Sequence, residues 1–443
     1  MADTLLSMGL DVGTSTTQMV ISRLTIENRA SSFSVPEMEI SKREILYKSP
    51  VHFTPLLGEA LVDGEKIRTL VEQEYAAAGI GREQIDTGAV IITGESSRKE
   101  NARAVLDALS QSSGEFVVAT AGPHLESVLA AKGAGADQYS EEKDVTVLHI
   151  DIGGGTSNLA LLKNGQVMAT GCMNVGGRLL KFDETGRVLY RSPVLDGMDE
   201  LAVGQQPSPN QISALCQSLV QALEMAAGLR PATELLQKYW TEEAGNPWLP
   251  PADVAVISFS GGVAECIRGR FPALKFGDIG PVLGETISQS RLCQKPYRLG
   301  QDAIRATVIG AGAHSAQLSG STVYYRGVDF PIKNLPVVRS LQQLRQLDTP
   351  GVLALPENNS LSYSHICQIA DEIAENWPDS PVLIAPETDM AKALGHALAL
   401  RLPPERGILC IDRVRLPEGS FLDVGQPIGA ALPVVVKTLI LNR

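Results

Sequence analysis

No stretch of this 443-residue chain offers the ~18 consecutive apolar residues a membrane-spanning helix needs, and the C-terminal run from Leu432 to Val436 stops at Lys437. The N-terminus lacks a basic segment followed by an apolar run, so no secretory leader is expected and a cytoplasmic protein is. Cysteine is sparse: Cys172, Cys216, Cys266, Cys293, Cys367 and Cys410 make no Cys-x-x-Cys pair and read as reduced, mostly buried thiols. The six histidines form no His-x-x-x-His or His/Cys cluster, which argues against a protein-built zinc site. His149, inside an apolar run, reads as a core histidine. Positive charge is also short. A formal net charge of −12 disfavours non-specific binding to nucleic acid or anionic membrane. Gly-x-x-x-x-Gly-Lys and Gly-x-Gly-x-x-Gly are missing, which excludes a P-loop NTPase and leaves a Rossmann dehydrogenase unsupported. Asp-x-His-x-x-Gly, a cobalamin signature, is missing too.

What the chain has is a repeat. Met8-Gly9-Leu10-Asp11-Val12-Gly13-Thr14-Ser15 is echoed by His149-Ile150-Asp151-Ile152-Gly153-Gly154-Gly155-Thr156-Ser157. Each is a short apolar strand ending in Asp-x-Gly, then glycine and hydroxyl residues, then a second apolar strand, Gln18 to Ile21 or Leu159 to Leu162. Glycines let backbone N–H groups approach an anion, and the hydroxyls of Thr14, Ser15, Thr16 and Thr156 add donors. A carboxylate at each turn can hold a hydrated divalent cation. A lone Asp of this kind would read as an Asx-turn. Two matched turns point instead to related lobes gripping one polyphosphate, with Asp11 and Asp151 as catalytic and metal-holding candidates.

Apolar residues make up 44% and charged residues 20%, enough for sizeable cores. The pattern predicts a first lobe over 1–140, including a buried strand at Ala89 to Thr93 and helices at Val62 to Ala78, Ser97 to Leu109 and Pro123 to Ala131. A second lobe over 141–320 opens at Val145 to Ile150 and ends in a small-residue helix at Ile304 to Leu318. Within it, Asp183 to Arg187 reads as a hairpin tip, and Ser258-Phe259-Ser260-Gly261-Gly262 as a buried strand running into a helix start. Residues 321–443 read as an appended α/β domain, with helices near Ser364 to Asn376 and Asp389 to Leu400.

Four of these pieces, in this order, resemble the actin/Hsp70/sugar-kinase ATPase superfamily. They are the two hairpins, the Ser258 to Gly262 loop, which resembles its nucleoside-binding loop, and Ile309-Gly310-Ala311-Gly312-Ala313, which resembles its second connecting helix. The resemblance implies a two-lobed, ribonuclease H-like α/β ATPase core. Gly13, Thr14, Ser15, Thr16, Gly153, Gly154, Gly155 and Thr156 would cradle the phosphates of ATP with Mg2+, and Gly261 and Gly262 would lie against its nucleoside. Gly310 and Gly312 read as helix-packing residues. The first hairpin, with Thr93-Gly94-Glu95-Ser96-Ser97-Arg98-Lys99-Glu100-Asn101 and Gly176-Gly177-Arg178-Leu179-Leu180-Lys181-Phe182, also resembles the ethanolamine ammonia-lyase reactivating factors along the whole length. That likeness implies chaperone-like, ATP-dependent exchange of damaged cobalamin on the lyase for adenosylcobalamin, in a pathway often linked to a bacterial microcompartment. The corrinoid would then stay with the partner enzyme.

One position departs from the hydrolytic members. Where they carry a water-positioning Gln or Glu at the start of the first connecting helix, this chain reads Thr120-Ala121-Gly122-Pro123, with Glu126 one turn further on. Slow or partner-dependent turnover is the expectation. A small-molecule kinase or an actin-type scaffold on the same fold are the rival readings.

Overall fold

The computed structural model describes residues 3–13, 16–28, 38–57, 61–93, 117–120, 123–241, 248, 250–300, 302–314, 316–318, 323–347, 349–356, 362–378, 380–412, 414, 416, 420–427 and 432–438. Thr14 and Ser15, the expected Ser97 to Leu109 helix and the Gly94 to Asn101 motif lie outside them.

Two sheets share one plan. In the first, the order is Met38–Lys48, Thr16–Asn28, Asp3–Val12, Thr87–Ile92, Val117–Thr120. In the second it is Gln166–Met173, Ser157–Lys163, Val147–Ile152, Val256–Ser260, Tyr297–Leu299. Each central strand pairs antiparallel with the strand that follows it and parallel with the fourth strand of its sheet. Setting aside the two-residue strand His52–Phe53, which pairs with Thr16–Asn28 in the first sheet, the strand order in each lobe is 3-2-1-4-5.

Period-two alternation decides which side chains face where. Met8, Leu10 and Val12 enter a core with Ile67, Val71 and Tyr75 of the helix Gly64–Ala78. Leu148, Ile150 and Ile152 do the same in the second lobe, against the helices Pro209–Ala226 and Gly280–Ser288. The intervening residues, Ser7, Gly9 and Asp11, and His149 and Asp151, therefore turn to the opposite faces. On the first sheet that face carries the helix Ala306–His314, and on the second sheet it carries the helix Pro123–Gly133, whose Ala131 packs with Val147 and Ala160. The two helices cross, and Leu129 and Ala311 share a small core with Ala89 and Ile91. A Cβ on Gly310 would overlap the Leu129 carbonyl, and one on Gly133 the Ala306 carbonyl. The helices thus meet backbone to backbone, and Gly9 likewise accepts Gly312 against the central strand. The Ser7 hydroxyl donates to the Gly312 carbonyl.

The insertion Leu180–Phe182 pairs with Val188–Arg191, a hairpin around Asp183 to Arg187. The third sheet has a parallel heart, Ile332–Val338, Val352–Leu355, Val382–Pro386 and Ile408–Ile411, with the helices Tyr363–Asn376 and Ala391–Ala399 on one face. Antiparallel Ser420–Val424 and Pro433–Thr438 extend one edge. The return helix differs from expectation. It ends at His314 rather than Leu318, and Ala316–Leu318 forms a strand against Pro433–Thr438. The β-branched run Val434 to Val436 supplies a pleated partner, and that pairing overrides local helix preference. The third sheet therefore begins before residue 321. The return helix also packs on the first sheet, although its sequence follows the second lobe.

Candidate active site

A cleft of about 500 Å³ opens between the two lobes, and both central strands run their carboxylates into it. Asp11, Gly13, Thr16, Asp151, Gly153, Gly154, Gly155, Thr156, Gly261 and Gly262 all line it. Of the residues expected there, Thr14 and Ser15 lie outside the described ones.

The two turns are built alike. Gly13 N–H donates to Thr16 O at 2.9 Å, and Gly153 N–H donates to Thr156 O at 2.9 Å. Directly opposite Asp11 in the register stands Gln18, and opposite Asp151 stands Asn158. The second turn is braced from behind: Gly177 N–H donates to Gly153 O at 3.0 Å and Arg178 N–H to Gly154 O at 2.6 Å. A Cβ on Gly155 or Gly262 would stand in open space, while one on Gly261, at φ 87°, would overlap Ile152 O. Gly261 thus turns tightly behind the second hairpin and starts the helix Gly262–Arg268 at the cleft wall.

Each carboxylate is held by a hydroxyl from the neighbouring parallel strand or its end. Thr93 Oγ1 donates to Asp11 Oδ1 at 2.8 Å, and the Ser260 hydroxyl donates to Asp151 Oδ1. Burial pushes the Asp11 carboxyl up to about 7, against the lowering pull of Thr93, and the charge of Asp151 adds to the rise. Burial likewise lifts Asp151 to about 6, moderated by Ser260. His149 is a fully buried core histidine, bonded through Nε2 to Ser260 Oγ at 2.9 Å and through Nδ1 to Ser258 Oγ at 3.1 Å. Burial takes its pKa down to about 3, with the charge of Arg298 adding, so the ring is neutral. Ser260 gives its proton to Asp151; Nε2 therefore carries the ring proton and donates to Ser260, and Nδ1 accepts from Ser258.

Sequence reasoning missed several parts. Thr93 and Ser260 had no role assigned, and the only signal was a hydroxyl at the end of each lobe's buried fourth strand. Arg178 lines the cleft and meets Asp278 at 3.3 Å; Asp278 also accepts from Gly280 N–H at 2.9 Å. Burial raises the Asp278 carboxyl despite both partners. Glu126 lines the cleft as well.

Among the described residues, five carboxylates (Asp11, Glu126, Asp151, Glu265 and Asp278) and one guanidinium, that of Arg178 paired with Asp278, line this space. Such a lining repels a bare polyphosphate. The two carboxylates, the glycine turns open to the cleft and the twin hydroxyl braces are the donor set that would hold a divalent cation with its water shell.

Two sheets of one strand order, each ending its central strand in a braced carboxylate at a glycine turn, define a two-lobed actin/Hsp70-like fold with an appended C-terminal α/β domain. Residues 3–352 and 340–442 match the family model of ethanolamine utilisation protein EutA, and the chain belongs to that family. It is 41% identical over 98% of its length to the ethanolamine ammonia-lyase reactivase EutA of Salmonella typhimurium strain LT2, covering 98% of that protein. The Escherichia coli strain K12 protein of the same description is 40% identical over 98% of each chain. A solved structure of the Aquifex aeolicus PPX-GPPA enzyme covers 70% of this chain and 99% of its own at 12% identity and a TM-score of 0.42, too distant to bear on the assignment. Among the described residues no helix is long and apolar enough to cross a membrane.

Proposed function

We propose that this chain reactivates ethanolamine ammonia-lyase, using ATP and Mg2+ to exchange damaged cobalamin on the lyase for adenosylcobalamin. The observation that carries the reading is the near-full-length identity to the Salmonella reactivase. The anionic cleft between twin glycine turns supports the nucleotide part of it.

In this reading Asp11 and Asp151 hold the water shell of the cation from opposite lobes. The glycine turns at Gly13 and Gly153 to Gly155, with Thr16 and Thr156, present N–H and hydroxyl donors to the phosphates, and Gly261 and Gly262 lie against the nucleoside. Bound Mg2+ supplies charge neutralisation between phosphate and carboxylates. Because the ligating residues come from both lobes, occupancy favours the closed arrangement over the open one. A lyase that binds one arrangement better is then biased toward releasing its cofactor. The third domain is the proposed docking module, since the ATPase core does not need it. The setting is cytoplasmic, in association with a bacterial microcompartment.

The test incubates the protein with cyanocobalamin-inactivated ethanolamine ammonia-lyase, adenosylcobalamin and Mg·ATP. Lyase activity is expected to return with the full mixture and not when ATP is left out. Phosphorylation of a small molecule without any effect on the lyase would favour a kinase instead.

A further inference from the structure

Gln18 is buried, 4% exposed, yet it lines the cleft. Its Nε2 donates to the backbone carbonyl of Ile304 at 3.2 Å, on the turn that enters the return helix. A carbonyl only accepts, so this bond fixes the amide: nitrogen toward Ile304, oxygen away from it. That oxygen, Oε1, accepts from no donor among the described residues. A buried acceptor left so costs free energy until something donates to it.

Its place narrows what that donor is. Gln18 stands directly opposite Asp11 in the antiparallel register, so their side chains share a face with Cβ atoms about 5 Å apart. Asn158 holds the matching place opposite Asp151 but does not line the cleft. A phosphate oxygen is an acceptor and is repelled by Oε1. A water bound to a divalent cation is a strong donor, and Asp11 is where the cation's shell would be held.

We propose that Gln18 is a positioning residue: its Oε1 accepts from a water of the cation shell held at Asp11. This is a task for which the Thr120 to Pro123 segment offers no carboxamide or carboxylate. The proposal deepens the nucleotide reading above and rests on it.

The test titrates free Mg2+ against a fluorescent ATP analogue bound to the full chain, in wild type, Gln18→Met and Gln18→Glu. Gln18→Met, which removes the acceptor at similar volume, is expected to raise the half-saturating Mg2+ about tenfold and to leave analogue binding in EDTA unchanged. Gln18→Glu, which keeps an acceptor and adds charge, is expected to lower it. An unchanged Mg2+ requirement in Gln18→Met overturns the proposal. So does a shift of both variants in the same direction, which general damage to the cleft would produce. Weaker analogue binding in EDTA overturns it too, by assigning Oε1 to a ribose or base donor. A wild-type chain that binds no analogue at any Mg2+ defeats the nucleotide reading itself, and this proposal with it.

Discussion

At the scale of single residues, two carboxyls sit where water is scarce, and protons would compete there with the proposed cation. An Asp raised to about 7 binds more protons folded than unfolded between pH 4 and 7. The contribution of Asp11 to the stability of the metal-free protein is therefore fullest near pH 4 and is lost as pH rises through 7; Asp151, raised to about 6, acts in the same sense over a lower window. In EDTA, Asp11→Asn is expected to melt above wild type at pH 8, with the gap closing toward pH 4.5; thermal melts across that range check it. The same substitution at Asp151, and Asp11→Ala, are expected to abolish Mg·ATP-dependent reactivation of the lyase while the far-ultraviolet circular dichroism stays that of wild type. These two acids were legible in the sequence because strand, carboxylate and glycine turn fall within a few consecutive residues. Their braces were not. Thr93 lies 82 positions from Asp11 and Ser260 lies 109 from Asp151, joined only through parallel pairing that no local pattern announces.

At the scale of elements, the crossing of Pro123–Gly133 with Ala306–His314 is set by what is missing from its seam. Leu129 and Ala306 offer carbonyls, not side-chain ends, to Gly310 and Gly133, so an added methyl finds nothing flexible to displace. Gly310→Ala is expected to cost about 1–3 kcal/mol, read as a lower urea midpoint with an unchanged slope. Gly155→Ala, whose new methyl would meet nothing within 4 Å, is expected to leave that midpoint unchanged and to weaken nucleotide binding. The buried strand at Ala89 to Thr93 and the helix starting at Pro123 were readable from periodicity, whereas the Ser208 cap of Pro209–Ala226, made through the Gln211 N–H, shows only in the structure. The Ala316–Leu318 strand was not readable, because three residues carry no period and their partner lies more than a hundred positions away.

At the scale of the whole molecule, a chain of net charge −12 gathers carboxylates from both lobes around one cleft. A ligand that bridges them stabilises the folded state by mass action. Mg·ATP at a hundred times its Kd is expected to add about 2.7 kcal/mol to stability, seen as a raised Tm, and the gain is expected to vanish in Asp151→Asn. The covalent path out of the cleft is short. Ile304, whose carbonyl is fastened to Gln18, is the middle residue of the 3-10 turn Ala303–Arg305 that runs straight into the return helix, and past His314 only residue 315 separates that helix in sequence from the edge strand Ala316–Leu318. A stiff rod of two and a half turns thus runs from the floor of the cleft to the rim of the third sheet. A tilt imposed at its near end is expected to reach the distal domain along the shortest covalent route the chain offers.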